Sequence, residues 1–361
     1  MLLKQKYMKE ERGRKNVLDY KYDLSIIIPV YNTSQYLKKC LDSVVAAVNK
    51  CKNRKIEILI INDGSTDNSD EIIKEYCKKN SFMKRFYKEN GGLSDVKNYG
   101  LERTDGKYVI FLDSDDYVEP DMYEEMLNKA EEEKADVVVC DLELVYDDAS
   151  RNVYHSCTVP READIFAQVI DMTMMPASWN KIVKRELYDG LTFPERKNNE
   201  DIAVTPIVLG RAKKIAVVHK AFYKYYQRTG SIQNSTFNEK RFVILETSKL
   251  CVDRIKIFDK EKQELIKGSV YLHQVLSLAL YPIRREKFST RYNMLKKYMT
   301  RVDELFPDIW DNFEIKEFVH WDAIWIQWSR RITVALLKAK KYYILSIFWT
   351  FCNVIYDFTQ K

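Results

Sequence analysis

Residues 56–77 read "IEILIINDGSTDNSDEIIKEYC". The first eight form a short apolar run closed by Asn62 and Asp63, the pattern of a strand buried on both faces. Beyond a turn-forming stretch, Ile72, Ile73, Tyr76 and Cys77 recur at helical spacing. Asp63 and Gly64 suit a tight turn, and Thr66, Asp67 and Ser69 are residue types that cap helices. A plain strand–turn–helix accounts for most of this stretch. It accounts less well for a carboxylate placed directly after a buried strand, where it could accept a hydrogen bond from a nucleobase N–H such as a uracil imide.

The same unit repeats on either side. "LSIIIPV" (24–30) is a second buried strand, followed by Leu37, Cys40, Leu41, Val44, Val45 and Val48 at helical spacing. "KRFYK" (84–88) is a weaker strand, and "SDVKNYGLER" (94–103) reads as helix. "KYVIFLD" (107–113) is a strand, "DMYEEMLNKAEEEK" (121–134) a helix and "ADVVVCDLEL" (135–144) a strand. Such alternation predicts an α/β fold with a mostly parallel sheet and right-handed crossovers. Ligands of these sheets bind beyond the carboxyl ends of the strands. Three strand exits are polar, "PVYNTS", "NDGSTDNS" and "DSDD", and should line one crevice. Residues 150–235 read as mixed, with short strands and two helices. From about 239 the pattern is mainly helical, with a boundary near 236.

Composition excludes several classes. The chain has 361 residues, 46% hydrophobic and 31% charged, an ordinary globular balance for one large domain or two. A net charge of +6 on so long a chain gives no sign of a nucleic-acid partner. The charged start "MLLKQKYMKEERGRKN" lacks the apolar core of a secretory signal. The seven cysteines are scattered and never spaced as CxxC, which suits reduced thiols of a cytoplasmic protein. The four histidines are never two or four apart, so a histidine metal cluster is not expected.

Four constellations carry chemistry. In "DSDD", Asp113 and Asp115 can both face a crevice if the chain turns, and paired oxygens suit Mg²⁺ or Mn²⁺. The bland alternative is a helix cap by Ser114 or Asp116. "ENGGLSDVKNYG" (89–100) is a glycine loop opening a helix, whose N–H groups favour phosphate, with Lys97 adding charge. Tyr31 either packs or lies against a base. "NNEDIAV" (198–204) sets Glu200 and Asp201 at a helix start, where they either cap it or act as acid and base. Taken singly, the residues leave each of these readings open.

Taken together, "SIIIPVYN", "ILIINDGSTDNS", "NGGLSDVKNYGL" and "YVIFLDSDDYVEPDMYEEM" resemble family 2 glycosyltransferases of GT-A fold. The subset is the one that builds bacterial capsular, exopolysaccharide or cell-wall polysaccharides. A weaker match continues through "SWNKIVKREL", "NNEDIAVTPIVL" and "YYQRTGSI". The resemblance implies a GT-A domain over 23–236, with a nucleotide-sugar half (23–145) and an acceptor half (146–236). A basic extension (1–22) precedes it and a helical region (237–361) follows.

The resemblance also implies a donor site built from Pro29, Val30, Tyr31, Asn32, Asp63, Gly64, Gly92, Lys97, Asp113 and Ser114. Within it Pro29, Tyr31 and Asp63 would hold the nucleoside. Lys97 would lie near the diphosphate or ribose, and Asp113 would contact the ribose or sugar. Asp115 would ligate the divalent cation with Asp113, and His219 stands as a further candidate ligand. Asp201 would be the general base, with Glu200 beside it. Trp179, Asn180 and Lys181 lie where the family's acceptor side begins, with Trp179 either stacking on a sugar ring or simply packing, and Arg228 and Ser231 are candidates for phosphate or acceptor contact. The family usually has arginine where this chain has Lys97, so charge is kept but the bidentate fork is lost.

The implied reaction is inverting transfer of a sugar, from a UDP-sugar to a glycan or polyprenyl-diphosphate-linked acceptor. A sugar nucleotidyltransferase would carry a glycine-rich basic loop after its first strand, where this chain has "PVYNTSQ". An inactive scaffold subunit would be expected to have lost Asp115 or Asp201, and both are present. "YYILSIFWTFCNVIY" (342–356) is an uncharged run shorter than the roughly 20 residues that span a bilayer. Between 329 and 361 there are six basic residues and one acidic. That suits a helix lying on an anionic membrane surface, or alternatively a packed appendage or a homodimer contact.

Overall fold

In a computed structural model of the chain, residues 20–148, 150–154, 176–227, 242–312, 315 and 324–359 are described. The first half follows the alternation read above. β1 (Tyr22–Val30), α1 (Ser34–Lys50), β2 (Ile56–Asp63), α2 (Ser69–Lys79), β3 (Met83–Lys88), α3 (Leu93–Leu101) and β4 (Gly106–Phe111) come in order. β5 (Tyr117–Val118), α4 (Met122–Glu132), β6 (Val137–Tyr146) and β7 (Arg151–Tyr154) follow, then β8 (Lys181–Lys184), α5 (Thr205–Arg211) and β9 (Ile215–Gln227).

Among the described residues the sheet order is β3-β2-β1-β4-β8-β6-β9-β5, with β7 on β6. β3, β2, β1 and β4 are parallel neighbours. β8 enters antiparallel between β4 and β6, while β6 and β9 are parallel to each other. The parallel half therefore ends all its strands at one edge, at Val30, Asp63 and Phe111.

Strand period two sorts the apolar residues onto two faces. Leu24, Ile26, Ile28, Ile58, Ile60, Val138 and Cys140 join α1, α2 and α4 in one core. Ile27, Ile61, Val109, Phe111, Val137 and Val139 face α3 and α5 in another. Both faces being covered is why β1 and β2 read as unbroken apolar runs.

The segment 150–235, expected to carry short strands and two helices, shows among its described residues the short strands β7 and β8, the thirteen-residue β9, bulged beside Asp141, and the seven-residue helix α5. The other helical turns described there are 3₁₀, at Arg185–Tyr188 and Glu200–Ala203. β8 is antiparallel to both of its neighbours, and β9 is parallel to β6 but antiparallel to β5. The boundary expected near 236 and the extension before 20 lie outside the described residues, apart from Tyr20 to Tyr22.

The last part is helical: α6 (Val243–Arg254), α7 (Lys260–Ser269), a π-helical stretch (Val270–Leu278), α8 (Leu280–Arg285), α9 (Phe288–Leu305), α10 (Ile324–Lys338) and α11 (Tyr342–Thr359). It has its own core around Leu245, Tyr271, Leu295, Tyr298, Met299, Leu345 and Trp349, with Trp310 packed on it. The side chains of Trp321, Trp325 and Trp328 lie outside the described residues. This core reaches back to the first part. Ile202, in the 3₁₀ turn, belongs to it, and Ile207 of α5 packs with Cys251, Ile255 and Ile266. Arg254 donates to the carbonyls of Thr192 (2.9 Å) and Ala203 (3.1 Å). The six described cysteines are free thiols, four of them buried.

α3 lies unusually near the sheet because Gly100 faces it. A Cβ there would stand 2.7 Å from Ile27 Cγ2 and 3.1 Å from Ile61 Cδ1. Gly100→Ala should therefore lower stability by about 1–3 kcal/mol despite alanine's better helix propensity, measured by urea unfolding followed by circular dichroism.

Candidate active site

The three strand exits are stitched to one another by side chains. Asn32 adopts a left-handed φ of 51°. Its Oδ1 accepts from the Thr66 N–H at 2.8 Å, and its own N–H donates to Ser65 Oγ at 3.1 Å. Thr33 N–H donates to Ser69 Oγ at 3.3 Å, while Thr33 Oγ1 pairs with Ser114 Oγ at 2.9 Å. Asp67 accepts from the N–H groups of Ser34 (2.9 Å) and Ser69 (3.0 Å). Loops from β1, β2 and β4 thus form one surface. Burial alone would raise the Asp67 carboxyl, but the bonds from Ser69 and Ser34 outweigh it and hold the group down at about 2.

Asp63 fastens the fourth loop. Its two oxygens accept from Gly91 N–H (2.9 Å) and Gly92 N–H (2.8 Å), and Lys88 Nζ donates to Oδ1 at 2.6 Å. Gly64 has φ +71° and would bring a Cβ to 3.0 Å from Asn90 N, so both backbone and space call for glycine. Gly92, at φ +88°, opens α3. One turn further on, Lys97 is 1% exposed. Its ammonium donates to Glu200 Oε1 (2.7 Å), Asp201 Oδ1 (2.7 Å) and Ser178 Oγ (3.0 Å). Burial alone would lower Lys97; Asp201, Glu200 and Asp113 outweigh it and hold the group charged.

Asp201 is the more open of the acidic pair, its side chain 17% exposed against 7% for Glu200. Among the described residues its second oxygen has a single long contact, 3.4 Å, from the Ser178 N–H. Burial pushes the Asp113 carboxyl up to about 7, against Lys97 and with the charges of Asp115, Asp201 and Glu200. These acidic groups share one electrostatic neighbourhood at the strand ends. Asp116 shares it, raised by burial and then by the charges of Asp113 and Asp115, but its oxygens are used within the fold. Buried, it accepts from Tyr223 Oη (2.6 Å) and Tyr226 N–H (2.8 Å), a structural role that neither capping nor metal binding anticipates.

Residues 25–196 match the family described as Glycosyl transferase family 2. The cholesterol galactosyltransferase of Borreliella burgdorferi is 33% identical over 267 residues, which cover 69% of this chain and 72% of that protein. This chain belongs to glycosyl transferase family 2. Glycosyltransferase GlyA of Streptococcus pneumoniae is 33% identical over 229 residues, 58% of this chain but 31% of GlyA. The chain thus spans about a third of that relative's length. In fold it is similar to residues 1–349 of Staphylococcus aureus TarS, a structure also determined with UDP-GlcNAc and with UDP. The TM-score is 0.64 at 20% identity, with 91% of this chain and 90% of that one covered.

Against the family expectation, the site residues divide. Tyr31 is 50% exposed at the β1 exit, free to meet a planar ligand. Pro29 and Val30 are buried β1 residues in register with Ile61 and Asn62, so they shape the exit from below. Asn32, Gly64, Gly92 and Ser114 hold the loops in place. Lys97, expected near the diphosphate or ribose, gives its three donors to Ser178, Glu200 and Asp201. Glu200 and Asp201 do not cap α5, since they lie in the preceding 3₁₀ turn and bind Lys97.

The acceptor-side residues are more buried than expected. Trp179 is buried and stacked on Tyr223 with centroids 4.3 Å apart, so packing claims a ring proposed for sugar stacking. Asn180 donates to the Cys140 carbonyl at 3.0 Å, and Lys181 to the Ala177 carbonyl at 2.9 Å and Asn180 Oδ1 at 2.6 Å. Burial pulls the Lys181 ammonium down to about 7 against the opposing charge of Asp201. Arg228 and Ser231 lie outside the described residues.

His219 is not brought into a ligand set with Asp113 and Asp115. Its Nδ1 faces Asp141 Oδ2 at 3.6 Å, on the bulged part of β9. Among the described residues no three His, Cys, Asp or Glu side chains gather as a metal-holding group. Thr33, Ser178 and Tyr223 escaped the sequence reading. Their partners are 81, 81 and 107 residues away, and nothing local marks them.

Asp67 supplies a test of the stitched loops. Its folded carboxyl lies below the ordinary 3.8, so its stabilisation is present above about pH 4 and lost as pH falls toward 2. Asp67→Asn should cost about 1–2 kcal/mol at neutral pH, and its deficit against the parent should close between pH 4 and 2, read by urea unfolding at each pH.

Proposed function

We propose that the chain transfers a sugar from a nucleotide-sugar, a UDP-sugar, to a hydroxyl of a glycan acceptor in surface polysaccharide assembly, with inversion at the anomeric carbon. The observation that carries this is Asp201: one oxygen is bound to Lys97, the other has a 3.4 Å contact from the Ser178 N–H, and its charge acts on Asp113. The acceptor hydroxyl gives its proton to Asp201 while its oxygen bonds to the anomeric carbon. The bond from that carbon to the diphosphate oxygen breaks, and the nucleoside diphosphate leaves with the electron pair. Attack on the face opposite the leaving group inverts the centre. Asp63 and the exposed Tyr31 ring suit the base and the ribose end of the donor. The UDP-GlcNAc and UDP bound to TarS support a uridine donor.

Asp113 and Asp115 fit a hard divalent cation. Both are carboxylates at one loop, and Asp113 is burdened by the charges of Asp115, Asp201 and Glu200, which a cation would relieve. Bound there, Mn²⁺ or Mg²⁺ would neutralise charge on the departing diphosphate. The similar fold of a Pyrobaculum calidifontis mannosyltransferase was determined with GDP-Man and Mn²⁺.

The acceptor is a lipid-linked glycan at a membrane surface. α11 exposes Tyr343, Ile344, Ile347 and Phe351 along one side, beside Phe288 of α9, whose ring meets Tyr343 at 5.6 Å. Lys338 and Lys341 are exposed at its start. Among the described residues no helix is long and apolar enough to cross a membrane. An apolar stripe with basic residues at one end suits the boundary of anionic lipids.

Asp201→Asn should keep UDP binding and lower transfer by about 10²–10⁴-fold, while Asp115→Ala should weaken donor binding only when Mn²⁺ is present, by calorimetry and UDP release. Asp201→Asn working at the parent rate would remove the base from this reading. The chain should sediment with phosphatidylglycerol vesicles and not with phosphatidylcholine ones. Ile347→Gln/Phe351→Gln should weaken that binding by about tenfold or more, from the area each side chain buries.

A further inference from the structure

We infer that Lys97 is a positioning residue for the general base: it holds one oxygen of Asp201 and so fixes the direction of the other, and it takes no part in holding the donor diphosphate. This rests on the reading of Asp201 as base.

An ammonium has three donors. Those of Lys97 are matched one to one by Ser178 Oγ, Glu200 Oε1 and Asp201 Oδ1 at 2.7–3.0 Å. At 1% exposure there is neither a spare donor nor a route for a phosphate oxygen to reach it. The rings of Phe111 and Phe193 lie 5.4 and 5.1 Å from Nζ and close the pocket around it. Its place along the chain is fixed as well, since Asp63 grips Gly91 and Gly92 just before α3.

The groups around Asp201 show what this cation does. Glu200 is its neighbour, Asp113 lies on the donor side, and Lys181 and the Tyr188 hydroxyl sense its charge. Adjacent carboxylates in a buried site cannot all stay ionised without a counter-charge. Lys97 supplies that counter-charge to both, paired with Glu200 and Asp201 at 2.7 Å each. Holding Oδ1 leaves Oδ2, which among the described residues has only the 3.4 Å contact with Ser178, as the oxygen that receives the proton.

The test uses the full chain with Mn²⁺, UDP as the binding probe, and hydrolysis of UDP-GlcNAc, UDP-glucose and UDP-galactose as the turnover assay. Lys97→Met should leave UDP affinity within about twofold and lower kcat by about 100-fold or more. Lys97→Arg, which keeps the charge, should retain more than about a tenth of kcat. Lys97→Met/Glu200→Gln removes the unpaired charge and guards against a fold defect in the single variant. Its kcat should stay low, because Asp201 is still unheld.

Loss of UDP affinity beyond about tenfold with kcat kept would return Lys97 to the diphosphate and overturn the inference. Recovery of kcat in the double variant would also overturn it, by reducing Lys97 to a neutraliser of Glu200. If Asp201→Asn were itself fully active, the base reading would fail whatever Lys97 does, so the two failures are separable.

Discussion

A buried ammonium joins the two halves of this molecule's chemistry. Lys97 comes from the βα alternation that builds the donor side, and Glu200, Asp201 and Ser178 come from the part that follows β7. Replacing such a cluster by apolar groups is often neutral or stabilising, whereas removing one member costs about 3–5 kcal/mol because a charge is left buried alone. Stability therefore does not explain why the charges are there. A carboxylate held in one direction by that cation does.

The parts around this cluster can be understood as supports for it. Asp63 ties the glycine loop to β2 and so sets the start of α3. Thr33 and Ser114 tie the β1 and β4 exits together, which holds Asp113 and Asp115 near the same place. From the far side, the helical region packs Ile202 into its core and pins the Ala203 carbonyl through Arg254. The turn bearing Asp201 is thus held from both directions, by an ion pair within and by apolar packing behind. The helices after residue 242 are consequently part of the catalytic scaffold rather than an attachment to it.

Much of the donor half was readable because it is governed by local rules. β2 runs over the predicted 56–63, and β1, β3, β6 and the intervening helices begin and end within a few residues of expectation, since apolar runs and 3.6-residue spacing report burial directly. The convergence of the polar exits followed from parallel strands having one carboxyl edge. What stayed hidden depended on partners far along the chain. Lys97 looked like a phosphate ligand because its acceptors are 103 and 104 residues away. Trp179 could not be told from a sugar platform until Tyr223 was found against it. β9 was misjudged because its alternation of charged and aromatic residues reflects an uneven pattern of burial that only its neighbours define.

The long separation within the Lys97 cluster bears on how the chain is made. α3 leaves the ribosome with its lysine about a hundred residues before either carboxylate has been synthesised. A lone ammonium cannot be sealed between Phe111 and Phe193 without a counter-charge. The lysine of the nascent donor half therefore meets its counter-charges only once the turn at 200–203 has been made.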